Sequence, residues 1–242
     1  GCFVWTGFDY RGEPTPYGWP CINSHFGIMD MCGFPKDSYY YYQAWWSDKP
    51  VLHIFPHWNW PGKEGQEIEV WCHSNCQRVE LFLNGQSQGA QEMQPNGHLV
   101  WKVKYEPGTL LARGIRDGKE LTDKVETTDP PAAIELVPEQ RKIAADGADV
   151  SLVTMRIVDS KGRLVPIADN EVSFGVRGPG NIIGVGNGDP SSHEPDKASQ
   201  RKAFNGLCMA VIQAGRDAGE IEVTATSPGL KPASVKIQAE RR

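Results

Sequence analysis

The side chains with the richest chemistry lie close together between residues 5 and 26. Asp9 and Glu13 are acids, Arg11 is a base, and Trp5 and Trp19 are large flat rings in the same stretch. Aromatic rings stack on the apolar C–H faces of sugars, and carboxylates accept hydrogen bonds from sugar hydroxyls. These residue types therefore indicate a carbohydrate site. A packed aromatic loop in which Asp9 and Arg11 form a structural pair explains the same composition.

A second pair of tryptophans, Trp58 and Trp60, follows in a segment that reads as extended. Residues two apart in a strand point to the same side, so the two rings should face one way. They form either a sugar-stacking platform or a contact with a neighbouring domain.

Cysteines and acids give little support for a metal site. Cys72 and Cys76 have no second pair at short spacing, which a zinc site normally needs. Cys72 falls on the apolar face of an alternating strand, which predicts a core position, and a disulfide with Cys76 is the alternative. Asn187, Asp189 and Glu194 could hold Ca²⁺, but a Gly-rich turn with side-chain to backbone bonds is the preferred interpretation. No metal and no cofactor is predicted.

The elements that must position these residues change along the chain. Residues 1–49 read as one β/α unit: a buried strand over Phe3–Trp5, a long loop, and a helix over Tyr39–Trp46 that begins after Pro35. The aromatic residues of that helix are expected to pack against other elements. Residues 50–128 and 132–242 alternate apolar and polar residues between turns, which predicts two immunoglobulin-like β-sandwiches. A chain that begins inside a strand is expected to be part of something longer.

Composition excludes several classes of protein. The chain has 242 residues, a net charge of −5 and 39% hydrophobic residues, so it can form packed cores. A negative chain lacks the basic field that holds nucleic acid. No apolar run approaches the length of about 18 residues that a membrane span needs. We therefore expect neither nucleic-acid nor membrane partners.

Several segments, in order, resemble family 2 glycoside hydrolases, the β-galactosidase-like group. The first part resembles that family's last barrel strand, closing loop and final barrel helix, the second the sandwich after the barrel, and the third an invasin-like C-terminal domain. The matching motifs are Phe3–Tyr10, Gly12–Tyr17, Phe26–Asp30, Gly33–Lys36, Leu52–Trp60, Val79–Gly85, Ala145–Gly147, Gly186–Pro190 and Phe204–Gly206. The resemblance implies a mainly β chain whose two sandwiches follow the last β/α unit of a (β/α)8 barrel.

The resemblance also implies a retaining β-glycosidase, which needs two carboxyl groups about 5 Å apart. In the family both are glutamates on earlier barrel strands, so they are expected upstream of residue 1. This chain alone should then be inactive and should contribute one wall of the sugar site. Trp5 matches the family tryptophan beneath the sugar, with barrel-core packing as the alternative. Asp9 matches the family aspartate four residues on, for which an orienting role is preferred and contact with the sugar is the alternative. Further expected rim residues are Glu13, Tyr17, Trp19, His25 and Phe26.

The related β-glucuronidases carry an Asn-x-Lys motif whose lysine would pair with the substrate carboxylate. The matching residues here are Ser24, His25 and Phe26, so a neutral sugar, galactose above all, is preferred. A non-catalytic carbohydrate-binding chain and a structural or assembly chain remain as alternatives. A homo-oligomer and a secreted or periplasmic location are expectations that rest on the family alone.

Overall fold

The computed structural model describes residues 3–241, which form two compact units. The central unit comprises Pro35–Thr127, and the split unit combines residues 3–34 with residues 128–241. The segment predicted as one β/α unit, residues 1–49, is therefore divided between them. Helix α1 belongs to the central unit, and the preceding loop belongs to the split unit.

The central unit contains one helix and two antiparallel sheets. One sheet has the order β1-β2-β5 and the other β4-β3-β6-β7. The elements are α1 (Asp37–Trp46), β1 (Leu52–Phe55), β2 (Glu67–Ser74), β3 (Arg78–Leu83), β4 (Gln86–Glu92), β5 (Leu99–Lys104), β6 (Thr109–Arg116) and β7 (Lys119–Glu126). Alternate residues of β2, β3 and β5 point into the core, among them Val70, Leu81 and Trp101. The period-two alternation thus predicted this sandwich correctly.

The split unit contains the second sandwich, also of two sheets. Their orders are β12-β14-β10-β8 and β13-β11-β15-β16-β9, and only β16 and β9 pair in parallel. The strands are β8 (Ala133–Pro138), β9 (Lys142–Ala144), β10 (Val150–Val158), β11 (Glu171–Arg177), β12 (Gly180–Gly186), β13 (Gln200–Lys202), β14 (Leu207–Ala214), β15 (Gly219–Thr226) and β16 (Ala233–Glu240). Val153, Met155, Ile221 and Ile237 fill its core. The mainly β fold is confirmed.

Residues 3–34 form a loop that is held by backbone hydrogen bonds and two isolated bridges, Phe8 with Met29 and Arg11 with Asn23. The predicted buried strand over Phe3–Trp5 is wrong for this structure: neither residue lies in a strand, and both side chains are exposed. A parallel strand is stable only beside parallel neighbours. None of the residues from 3 to 241 provides such a neighbour for this segment.

Helix α1 begins at Asp37 and ends at Trp46, close to the predicted bounds. Tyr42 and Trp46 meet edge-to-face at 5.0 Å, and the indole N–H of Trp45 donates to the Gly97 carbonyl at 3.2 Å. Within residues 3–241, no helix has both the length and the apolar character required to cross a bilayer.

Candidate functional site

The aromatic and acidic residues of the loop are organised around the buried side chain of Asp9. Its Oδ1 accepts a hydrogen bond from the Gly27 N–H at 2.8 Å and a longer one from the Ser24 hydroxyl at 3.4 Å. The Ser24 oxygen in turn accepts from the Tyr10 N–H at 3.0 Å. Asp9 thus joins the two ends of the loop, which fits the orienting role expected of it.

Gly27 permits this arrangement because the backbones approach very closely. A Cβ added at Gly27 would lie 2.3 Å from the Asp9 nitrogen and 2.6 Å from the Met29 carbonyl oxygen. Only glycine leaves that space empty. The absence of a side chain at Gly27 therefore lets its N–H reach the Asp9 carboxylate.

A separate series of side-chain hydrogen bonds lies on the exposed side of the loop and joins Trp5, Tyr10 and Glu13. The Trp5 indole N–H donates to the Tyr10 hydroxyl at 3.2 Å, and that hydroxyl donates to the Glu13 carboxylate. The bond to Glu13 raises the pKa of Tyr10 above its usual value. The Trp5 ring is 73% exposed and meets Tyr10 edge-on at 6.5 Å. An exposed ring fixed through its N–H offers a flat face for an apolar sugar surface.

The other predicted rim residues lie on the same loop and are arranged in pairs. Phe26 packs edge-on against Tyr10 at 5.7 Å, and the His25 ring lies 4.1 Å from the ring of Tyr17. His25 Nε2 also lies 2.7 Å from the sulfur of Cys21. Trp19 is largely exposed and pairs with a histidine of the second sandwich that is described below.

Sequence reasoning missed the residues of the second sandwich that hold this loop in place. The Pro190 carbonyl accepts from the Ile22 and Asn23 N–H groups at 3.0 and 3.2 Å. The Asp196 carboxylate accepts from Arg11 at 2.6 Å and from Arg201 at 2.9 Å. The motif Gly186–Pro190 was visible in the sequence, but nothing local in it indicates contact with a loop more than 160 positions earlier.

The buried guanidinium of Arg201 holds Asp196, the residue that binds Arg11 of the loop. We call Arg11, Asp196 and Arg201 the anchor. Arg201 is 2% exposed, and besides Asp196 it donates to the Val185 carbonyl at 2.9 Å and the Ser192 hydroxyl at 3.1 Å. Burial alone would raise the pKa of Asp196, but its hydrogen bonds from Arg11 and Arg201 outweigh burial and hold that pKa below its usual value. Asp196 is therefore a charged link between the loop and the sandwich core.

A cavity of about 750 Å³ in the split unit borders the same anchor. Arg11, Asp196 and Arg201 line it together with apolar side chains, including those of Phe8 and Met209. The apolar lining suits hydrophobic groups better than a sugar ring rich in hydroxyls.

The segment considered for Ca²⁺ folds as a turn, as preferred. The Asp189 N–H donates to the Asn187 side chain at 3.1 Å, and the Ser191 N–H donates to the Asp189 side chain at 2.8 Å. Cys72 and Cys76 are buried and free, so they form no disulfide. Across residues 3–241, no group of three or more His, Cys, Asp or Glu side chains is placed to hold a metal ion.

The predicted platform of Trp58 and Trp60 is wrong for Trp58. Trp58 is completely buried in the core of the central unit, where its N–H donates to the Glu106 carbonyl at 2.9 Å and its ring meets Tyr105 at 5.1 Å. Trp60 is half-buried and stacks on His57 at 4.6 Å. A ring enclosed by protein cannot stack on a sugar, so the two rings do not form one platform.

Two protein-family sequence models match parts of this chain. Residues 134–236 match the sequence model of the glycoside hydrolase family 2 C-terminal domain 5, and residues 65–122 match a domain of unknown function, DUF4982. Residues 134–236 therefore form a C-terminal domain of family 2 glycoside hydrolases, and the resemblance read from the sequence is confirmed.

Two individual proteins and one crystal structure illustrate how similar this chain is to its relatives. The chain is 52% identical to β-galactosidase BoGH2A of Bacteroides ovatus over 243 residues, covering 99% of this chain and 28% of the relative. It is 39% identical to a putative β-glucuronidase of Formosa agariphila, covering 88% of this chain and 22% of the relative. The crystal structure of a β-glycosidase from Bacteroides vulgatus superimposes with a TM-score of 0.91 at 36% identity, covering 97% of this chain and 30% of that one. The chain thus spans less than a third of each of these relatives.

Proposed function

We propose that this chain completes the sugar site of a retaining β-galactosidase-like enzyme and contributes no catalytic carboxylate to it. In this proposal residues 1–49 close the barrel, Trp5 lies beneath the sugar that is cleaved, and both catalytic glutamates belong to the part of the enzyme before residue 1. The hydrogen-bonded series from Trp5 through Tyr10 to Glu13 is the observation that carries the proposal, because it fixes an exposed ring on the loop that Asp9 holds together.

The surroundings of the two nearest acids support a binding role. Asp9 is buried and accepts hydrogen bonds from Gly27 and Ser24, and Glu13 accepts from Tyr10. A retaining mechanism needs one carboxylic acid and one nucleophilic carboxylate about 5 Å apart across the scissile bond. Because the buried Asp9 carboxylate holds the loop through these hydrogen bonds, it suits neither the acid role nor the nucleophile role.

A neutral sugar is favoured by two observations. BoGH2A, which is 52% identical to this chain, is named a β-galactosidase. Phe26 occupies the position at which the β-glucuronidase motif would carry lysine, so no cation stands there, and its ring packs against Tyr10. The proposed substrate is therefore a β-galactoside, with a glucuronide as the competing choice.

The test uses a hybrid enzyme in which these 242 residues replace the matching portion of BoGH2A. The hybrid should hydrolyse 4-nitrophenyl β-galactoside, and the isolated chain should not. Trp5→Ala should lower kcat/KM by about 100-fold, since contacts to the sugar act in the transition state. Ile167→Ala, which shortens an exposed apolar side chain of the second sandwich, is the control and should leave kcat/KM unchanged.

Three results would contradict the proposal. Hydrolysis by the isolated chain that Glu13→Gln abolishes would place a catalytic acid here. An intact kcat/KM in a folded Trp5→Ala hybrid would remove Trp5 from the site. A higher kcat/KM for the glucuronide than for the galactoside would replace the proposed substrate.

A further inference from the structure

The second sandwich places one of its exposed side chains, His193, against Trp19 of the loop formed by residues 3–34. His193, between β12 and β13, lies with its ring 4.4 Å from the Trp19 ring at an interplanar angle of 50°. Trp19 is 80% exposed, and His193 is exposed as well. Both residues belong to the split unit, although 174 positions separate them in the sequence.

Hydrogen bonds of the residues next to Trp19 hold Trp19 and His193 in place. His193 Nε2 lies 2.8 Å from the Pro20 carbonyl oxygen, and the Cys21 N–H donates to the Gly18 carbonyl at 3.0 Å. The Pro190 carbonyl holds the next two residues of the loop from the same segment of the sandwich. The large exposed ring is thus ordered before any ligand arrives, which lowers the entropic cost of binding.

The hydrogen bond to Pro20 also fixes the chemistry of the imidazole. A carbonyl oxygen can only accept, so Nε2 carries the proton and donates. In the neutral ring Nδ1 is then an acceptor. A flat indole face beside one hydrogen-bond acceptor suits a pyranose ring, which offers apolar C–H groups on one face and hydroxyl donors at its edge.

We propose that Trp19 and His193 form a second sugar-binding subsite, which contacts a glycosyl unit other than the one that is cleaved. This inference rests on the proposed function, because it takes the Trp5 loop to be a sugar site. It assigns a direct role in substrate choice to the C-terminal sandwich. The enzyme would then prefer substrates whose leaving group is itself a sugar.

Kinetics of the hybrid enzyme with two substrates test the subsite. Lactose carries a second sugar, and methyl β-galactoside does not. Trp19→Ala and His193→Ala should each lower kcat/KM for lactose about tenfold and leave methyl β-galactoside within about twofold, as expected when contacts to one part of a substrate are lost. His193→Lys separates contact from positioning, because an ammonium group can still donate to Pro20 but cannot accept from a sugar hydroxyl. It should behave like His193→Ala if the imidazole touches the sugar.

The results distinguish the two proposals. Equal loss on both substrates, or rescue by His193→Lys, would overturn the subsite and leave a positioning role. A large effect of Trp5→Ala with no effect of Trp19→Ala would overturn the subsite alone, whereas no effect of Trp5→Ala would overturn the proposed function. If the hybrid does not fold, NMR of the 242-residue chain decides: added lactose should shift the indole N–H signal of Trp19 and leave that of Trp46 in place, and an unmoved Trp19 signal would refute the subsite.

Discussion

The guanidinium of Arg11 lies 2.6 Å from the carboxylate of Asp196, although 185 positions separate the two residues. Both side chains are about half exposed, so the direct contribution of this pair to the free energy of unfolding is about 1 kcal/mol or less. Its importance lies in its position: Asp196 also binds the buried Arg201, so the pair links the loop of residues 3–34 to the core of the second sandwich.

Arg11→Ala should therefore loosen the loop while barely changing global stability. We expect faster amide hydrogen exchange at residues 20–24 and a small fall in Tm. Hydrogen bonds from Arg11 and Arg201 lower the pKa of Asp196 in the folded chain. The ionised Asp196 carboxylate therefore stabilises the fold fully above its unfolded pKa of about 4, and this stabilisation is lost as pH falls through the lower folded pKa. Lys142→Ala, which removes an exposed pair with Glu240, is the control and should leave this exchange unchanged.

Gly27→Ala should disrupt the loop more severely. The new Cβ would meet the Asp9 nitrogen at 2.3 Å, so one of the two backbones must move. We expect a loss of about 2 kcal/mol or more in the free energy of unfolding, as for other overpacked sites. Gly18→Ala is a matched control in the same loop, because its Cβ would meet nothing within 4 Å. Equal urea midpoints for the two variants would show that the close approach at Gly27 is wrong.

Trp58→Ala should destabilise the central unit by about 3 to 5 kcal/mol, because it empties a core site and leaves the Glu106 carbonyl without its donor. Trp46→Ala removes a largely exposed ring and its edge-to-face contact with Tyr42, so it should cost about 1 kcal/mol or less. Urea denaturation of both variants checks this difference. Similar midpoints would argue that Trp58 lies outside the core.

The central unit should lose stability in mild acid through His73. This side chain is 8% exposed, and its Nδ1 has no partner among the described residues. Burial, with smaller effects of His53 and His98, lowers the pKa of His73 from 6.5 to about 4. The unfolded chain then binds the proton more tightly, so stability is complete above pH 6.5 and falls as pH drops from 6.5 to about 4.

The expected loss over this range is about 3 kcal/mol, since each pKa unit corresponds to about 1.4 kcal/mol. Urea midpoints measured at pH 7 and pH 4.5 test it. His73→Phe should remove most of the pH dependence, whereas His193→Ala, which changes an exposed ring of the other unit, should keep it. An unchanged slope in His73→Phe would assign the effect to other groups.

The sequence predicted the sandwiches well because their strands obey a local rule. Val79 and Leu81 alternate with polar residues, and the structure buries both in β3. The helix was also found, because Pro35 and the aromatic run mark it locally. These features depend on neighbours in the chain, which the sequence displays directly.

The failures concern contacts between distant residues. Trp58 and Trp60 have the same residue type and the expected spacing, yet only the packing of Tyr105 and the Glu106 carbonyl reveals that Trp58 is core. The Phe3–Trp5 segment has the composition of a strand, but composition cannot supply a pairing partner. The role of His193 depends on a contact with Pro20, and no local pattern predicts that contact.

The discontinuous make-up of the split unit has a consequence for biosynthesis. Within this chain, residues 3–34 leave the ribosome before the central unit, whereas their partners Pro190, His193 and Asp196 leave it after the central unit. Contacts of such high sequence separation form slowly and late. The loop of residues 3–34 is therefore made before its partners and becomes ordered only after them. Nascent chains that stop before Pro190 would carry the aromatic rings of this loop without the contacts that hold them.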